Sequence, residues 1–252
     1  MTTPTYPTTG TTAFNLDFAT IAEEAFERTG TEMRSGYDLR TARRSLNLLL
    51  IEWANRGINM WTVDGPYSVT LVQGTATYIL PNDTVDLLDH VIRTGAGNVA
   101  TQQDLNITRI SESTYMTIPN KLTQGRPIQV WINRQGGMNN SNTSLPSSSS
   151  PQFTVWPIPD GSTTWTFVYY RLRQIQDVGA GFNGQDVPWR FIPAMVAGLA
   201  YMLSIKLPLK DAQIRVPALK AMYEEAWQLA ADEDREKASI RLVPRQTFLG
   251  VG

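Results

Sequence analysis

The chain has 252 residues, 42% of them hydrophobic and 18% charged, enough to fold around a real core as one large domain or two small ones. Its 22 Lys and Arg against 23 Asp and Glu leave a net charge of -1, so any contact with nucleic acid must come from a local patch. The lack of cysteine excludes a disulfide scaffold, a thiolate zinc site and a cysteine nucleophile together, and fits synthesis in a reducing cytosol.

Residues 1–13 are mostly Thr, Pro and Gly and read as an extended arm. They carry neither the basic nor the apolar region of a signal peptide, and no run of about 18 apolar residues suited to a bilayer follows. A first helix is predicted next. Asn15 or Asp17 can cap it, Phe18, Ile21, Ala22, Ala25 and Phe26 form its apolar stripe, and Gly30 can end it. A second helix runs through DLRTARRSLNLLLIEWANRG, with Leu39, Ala42, Leu46, Leu49, Leu50 and Trp53 at steps of three and four on one face. Asn55-Arg56-Gly57 is its stop signal.

From Tyr67 the period changes to two. YSVTLVQGTATYILP reads as two strands joined at Gln73-Gly74. VDLLDHVIR, LNITRI, PIQVWINR, FTVWPIP and TWTFVYYRLR follow, and the last has the β-branched and aromatic content of a central strand. The polar Gly/Ser/Asn segment 135–152 reads as a flexible loop. After Asp186 the helical period returns. Pro188 suits a first turn, Ile192, Met195, Val196, Leu199, Leu203 and Leu207 make a seam, and Pro208 closes that helix. Pro217 opens another, with Leu219, Met222, Tyr223, Ala226, Trp227 and Ala230 on one face. Residues 239–252 read as a second extended arm.

Segregated runs of helices, strands and helices argue an α+β fold. The expected arrangement is a four-helix bundle from 14–62 and 186–238, carrying an inserted antiparallel β-domain at 63–185, with extended arms at both ends.

Enzyme signatures are scarce: no Walker A, G-x-S-x-G or H-E-x-x-H, and Gly95-Ala96-Gly97 lacks the third glycine of a dinucleotide loop. His90 is the only histidine and reads as structural. Asp83, Asp86 and Asp89 could offer oxygens to Ca²⁺, but residues three apart in a strand face opposite sides. Glu224, Glu225, Asp232, Glu233 and Asp234 read as the wet side of a helix. Trp131, Trp156, Trp165, Tyr169 and Tyr170 suit either a sheet core or, if exposed, a sugar-stacking platform. On a helical wheel Arg40, Arg44 and Asn47 share a side, with Arg43 nearby, away from the Leu46/Leu50/Trp53 seam. They can meet DNA phosphates, or carboxylates of a neighbouring subunit. Glu52 and Asn55 on the same helix argue against a membrane-seeking role.

Several phrases combine: GYDLRTARRSLNLLLIEWANRGINMW, GTATYILPNDTVDLLDHVIR, YMTIPNKLTQGRPIQVWINR, FTVWPIPD and DVPWRFIPAMVAGLAYMLSIKLP. In this order, over about residues 14 to 240, they resemble the head-to-tail adaptors of short-tailed phages, the tail tubular A-type layer beneath the portal. The resemblance implies a non-enzymatic virion protein at the head–tail interface. It implies a ring, a dodecamer, between portal protein and tail nozzle protein, with tail fibres docking at its periphery. DNA would pass through the lumen with transient, non-specific contact, and no catalytic residue, cofactor, metal or membrane is implied. Under this reading Arg241, Leu242, Val243, Pro244 and Arg245 are candidates for an extended segment docking on the portal. Arg40, Arg43 and Arg44 are candidates for the DNA channel or an inter-subunit contact. A carbohydrate-binding module using the β-domain aromatics is the alternative, and an envelope hydrolase the third reading.

Overall fold

Asp17 accepts a hydrogen bond from the Thr20 amide at 2.8 Å and so caps α1 (Phe18–Thr29), satisfying one of the free donors of a helix start. Gly30, at φ 78°, ends that helix in the left-handed turn expected of it. The computed structural model describes residues 14, 16–34, 36–57, 60–134, 150–209 and 211–234. Helix α2 (Gly36–Asn55) buries Ala42, Ser45, Leu46, Leu49, Leu50 and Trp53, the face read from its three-and-four spacing. After a 3₁₀ turn at Met60–Thr62 the chain enters its strands.

The strands are β1 (Val63–Thr70), β2 (Thr77–Ile79), β3 (Thr84–Thr94), β4 (Gln103–Asn106) and β5 (Thr108–Ile110), then β6 (Gln124–Gly125), β7 (Gln129–Asn133), β8 (Gln152–Trp156), β9 (Ile158–Pro159) and β10 (Thr166–Arg173). They form one sheet of order β1-β10-β3-β4, a second of order β2-β8-β7-β5, and a small pair β6-β9. The long pairings are antiparallel, and the short β5–β7 and β6–β9 pairings are parallel. The antiparallel sheets expected from the sequence are present, and the two short parallel pairings are additions to them. β10 is central, as its composition suggests.

The expected hairpin at Gln73-Gly74 does not exist. β1 pairs with β10 and β2 with β8, so the turn hands the chain from one sheet to the other. LNITRI likewise divides, β4 pairing with β3 and β5 with β7, and Ile107 between them is buried. Phe153 of β8 and Phe167 of β10 stack at 4.4 Å across the space between the sheets, with Leu87, Ile92, Val130 and Ile132 in the same core. Gln152 belongs to β8 rather than to the polar loop, most of which lies outside the described residues.

A five-residue helix, α3 (Glu112–Met116), capped by Ser111, had no counterpart in the sequence reading because it is too short to show a period. Pro188 precedes a 3₁₀ turn at Trp189–Phe191, and Pro193 takes the first turn of α4 (Ile192–Ser204). Helix α4 ends four residues before Pro208, with the Lys206 and Leu207 amides turning back to the Leu203 carbonyl. Every residue from Ala194 to Ala200 is buried, because α1, α2 and α5 all pack on this helix. Gly198 permits that closeness: a Cβ there would lie 2.8 Å from Leu49 and 2.9 Å from Tyr223.

Helix α5 (Ala212–Glu233) begins before Pro217 instead of at it. A proline this near the exposed start deprives one carbonyl of its helical partner where water can replace it. Leu219, Tyr223, Trp227 and Ala230 face the core, whereas Met222, expected among them, is 50% exposed. Asp234, expected on the wet side, is buried, accepting the Met60 amide at 2.9 Å and pairing with Arg190. Helices α1, α2, α4 and α5 share one apolar core. The fold is α+β, with five helices and mainly antiparallel sheets among the described residues.

Candidate functional site

The arginines of α2 do not act as one patch. Arg43 donates from Nε to the Val178 carbonyl at 3.0 Å, and Asn47 accepts the Val178 amide at 2.8 Å. Together they clamp the backbone of a buried residue in the segment leading to α4. Arg44 instead reaches Thr41 one turn back at 3.3 Å, on another side of the helix, and Arg40 is exposed. Arg40, Arg44 and Asn47 keep the spacing read from the sequence, and Val178 engages Asn47 together with the neighbouring Arg43.

Arg44 lies in a row that the sequence reading passed over. Tyr37, Thr41, Arg44, Leu48 and Ile51 recur at steps of four and three, so they line one side of α2. Tyr37 is 63%, Leu48 54% and Ile51 59% exposed, on the reverse of the face carrying Leu46, Leu49 and Trp53. Tyr37, Asp38, Thr41, Arg44 and Leu48 also wall an open groove closed by Phe26, Lys206 and Leu207. Lys206 is held there by Ser45 at 2.8 Å. The signal was visible in LNLLLIEW but masked, because consecutive leucines read as one apolar block until burial separates the two faces.

The C-terminal end of α2 is fixed to α5 by a compact polar and aromatic cluster. Trp53 donates to the Tyr223 hydroxyl at 2.9 Å, and its ring lies 4.7 Å from that of Trp227. Arg56 pairs with Glu52 at 2.6 Å and Glu224 at 2.9 Å and sits 5.0 Å from the Tyr223 ring centroid. Its hydrogen bond to Glu224 holds that carboxyl below the usual range. Burial pushes the Tyr223 hydroxyl well above the ordinary tyrosine range, so it stays protonated and bridges Trp53 to Glu52.

In the β-region the aspartates diverge. Asp83 meets Arg171 at 2.5 Å, Asp86 meets Arg109 at 2.9 Å and Arg134 at 3.4 Å, and Asp89 is exposed. Arg171 is buried and also reaches Asp64 at 3.2 Å; burial opposes its charge, and the carboxylates more than offset this. His90 packs 5.8 Å from Phe167, and burial followed by the charge of Arg109 holds it below the ordinary imidazole range. Trp165 and Tyr169 are buried, Trp131 and Trp156 half-buried, and Tyr170 exposed. Trp131 stacks on Tyr115 at 5.3 Å.

Two of the quoted phrases meet in space. Trp156 of FTVWPIPD donates to the Asn120 carbonyl of IPNK at 3.1 Å, and the Ile158 amide to Thr123 at 2.9 Å, beginning the β6–β9 pair. Asp160 accepts from Ser162 at 2.8 Å and Trp165 at 3.3 Å, and these bonds lower its pKa, the Ser162 hydroxyl first. These residues build a turn scaffold and present no reactive group. Residues 241–245 lie outside the described residues, as do both arms.

No helix among the described residues is long and apolar enough to cross a membrane. The comparison with curated proteins gives no match. The profile described as SU10 adaptor protein matches residues 16–245, spanning both the helices and the strands. The chain belongs to the SU10 adaptor protein family of phage structural adaptors, which makes it a virion component that contacts other virion proteins.

Proposed function

We propose that the protein is the head-to-tail adaptor of a short-tailed phage, forming a ring, a dodecamer, between portal protein and tail nozzle protein. In this reading residues 14–62 and 186–238 are a four-helix bundle carrying the β-domain of 63–185. The ring continues the DNA channel, with transient non-specific contact to dsDNA, and tail fibres dock at its edge. The observation that carries the reading is the outer row of α2. A helix whose core face is already complete yet exposes Tyr37, Leu48 and Ile51 in register has a second surface to bury. Arg44 in that row then serves an inter-subunit contact, because a lumen that lets DNA slide has no use for apolar side chains beside it.

The extended segment Arg241, Leu242, Val243, Pro244 and Arg245 docks on the portal, and the 1–13 arm reaches a neighbour. Electron microscopy of the purified protein with and without portal tests the reading. Rings that appear with portal are the expected result, and their absence in both conditions contradicts it. Deleting residues 239–252 is expected to leave a folded subunit that no longer joins the portal.

A further inference from the structure

Helix α5 also has a second apolar face. Ile214, Met222 and Leu229 are 77%, 50% and 68% exposed and fall, with Ala218 and Glu225, at steps of three and four. This row lies on the reverse of Leu219, Tyr223 and Trp227. Since α2 and α5 face each other across Trp53, Tyr223 and Trp227, their two outer rows point away from each other, to different sides of the subunit.

The two rows are complementary in charge. That of α2 carries Arg44, with Arg40 beside it and Lys206 across the groove, against two acids that are both engaged, Asp38 accepting the Arg34 amide and Glu52 pairing with Arg56. The C-terminal half of α5, residues 221–233, holds Glu224, Glu225, Asp232 and Glu233 and neither Lys nor Arg. Glu224 is engaged by Arg56 and Asp232 accepts from Gln228, while Glu225 sits in the row between Met222 and Leu229. Each row thus places one ionic residue among apolar ones, of opposite sign in the two rows.

We propose that the outer row of α2 in one copy packs on the outer row of α5 in the next, with Arg44 opposite Glu225. This rests on the ring-forming reading above and names its contact. Two different patches on one subunit associate head to tail, and such contacts form a closed ring where the rotation between subunits closes and an open filament where it does not. The chain's own tail is a poor occupant for the α2 row. Residues 237–252 hold Lys237, Arg241 and Arg245 and no acid, so they repel Arg44 and Arg40.

The absence of cysteine makes the test clean. Single-cysteine chains Leu48→Cys and Leu229→Cys are mixed in equal amounts, with and without portal, and mildly oxidised. Val99→Cys, at an exposed position far from both rows in sequence, is the control. The expected result is a mixed 48–229 disulfide in several-fold excess over either like pair. In parallel, ring formation is expected to be lost in Arg44→Glu and in Glu225→Arg and regained in the double variant. Dominant 48–48 pairs, meaning a two-fold contact between α2 rows, overturn the proposal. So does cross-linking no stronger than in the control, which would assign the rows to other proteins or to the arms. Rings seen by microscopy without the mixed disulfide refute this contact alone, whereas no rings at all refute the ring-forming reading beneath it.

Discussion

The helical and β-regions use their apolar residues differently. In the β-region the core lies between sheets, with Phe153 and Phe167 stacked at its centre, and the exposed apolar residues are scattered, among them Val72, Val99 and Leu122 on loops, Met116 at a short helix end and Ile79 on the short strand β2. In the helical region α4 is buried almost all round, α2 and α5 each complete a core face, and apolar residues remain in regular outer rows. The charges differ in parallel. In the β-region Arg171 is buried against Asp83 and Asp64 and Arg93 pairs with Asp104 at the surface, while Arg40 and Arg44 of α2 stand on an open face. On the proposed ring-forming reading, the difference assigns the association to the outer helices.

The comparison can be broken from either side. The largest effect is expected from Trp53→Ala, which removes a fully buried ring and the donor to Tyr223 and should cost about 3–5 kcal/mol in chemical denaturation. Arg171→Ala strands Asp83 and Asp64 in the other region; a loss of about 3 kcal/mol is expected, at the low end for such pairs because Asp83 is half exposed. Slowed amide exchange in α4 should survive that change if the helical region is stabilised by its own core. Gly198→Ala drives a methyl against Leu49 and Tyr223 and should cost about 1–3 kcal/mol, read as a lowered Tm.

Acid should weaken the β-region more. Asp64 and Asp104 titrate below the usual range, chiefly through hydrogen bonds from Tyr67 and Arg93. A carboxylate depressed in the folded state contributes above its unfolded pKa of about 4 and loses that contribution as pH falls through the folded value. His90 adds an earlier limb. Held neutral by burial, it lets the unfolded chain take up a proton first, so stability falls as pH drops below about 6.5. Exchange in β3 and β10 should therefore quicken with acid before that in α4, and His90→Phe should flatten the earlier limb. The smallest effect on stability, within about 0.5 kcal/mol, is expected from Leu48→Ser with Ile51→Ser, which nonetheless should abolish ring formation.

What could be read from the sequence divides along the same physical line. The cap at Asp17, the stop at Gly30 and the inner face of α2 were legible because each depends on residues a few positions apart. The partners of β1 and β2 were not, since β10 and β8 lie far along the chain and the turn at Gln73-Gly74 looks like a hairpin either way. Met222 and Asp234 were misplaced for a related reason: periodicity names two faces of a helix without saying which one the rest of the fold will cover. Likewise the arginines of α2 were legible as a group, but not that Val178 would take Arg43 and Asn47 for itself.

Side-chain footprinting of the free subunit against the portal-bound assembly tests the central claim most directly. Tyr37, Leu48 and Ile51 on α2 and Met222 and Leu229 on α5 should become protected from oxidation, while Val99 and Leu122 keep their reactivity. Protection confined to the β-region, with the helical rows unchanged, would contradict it.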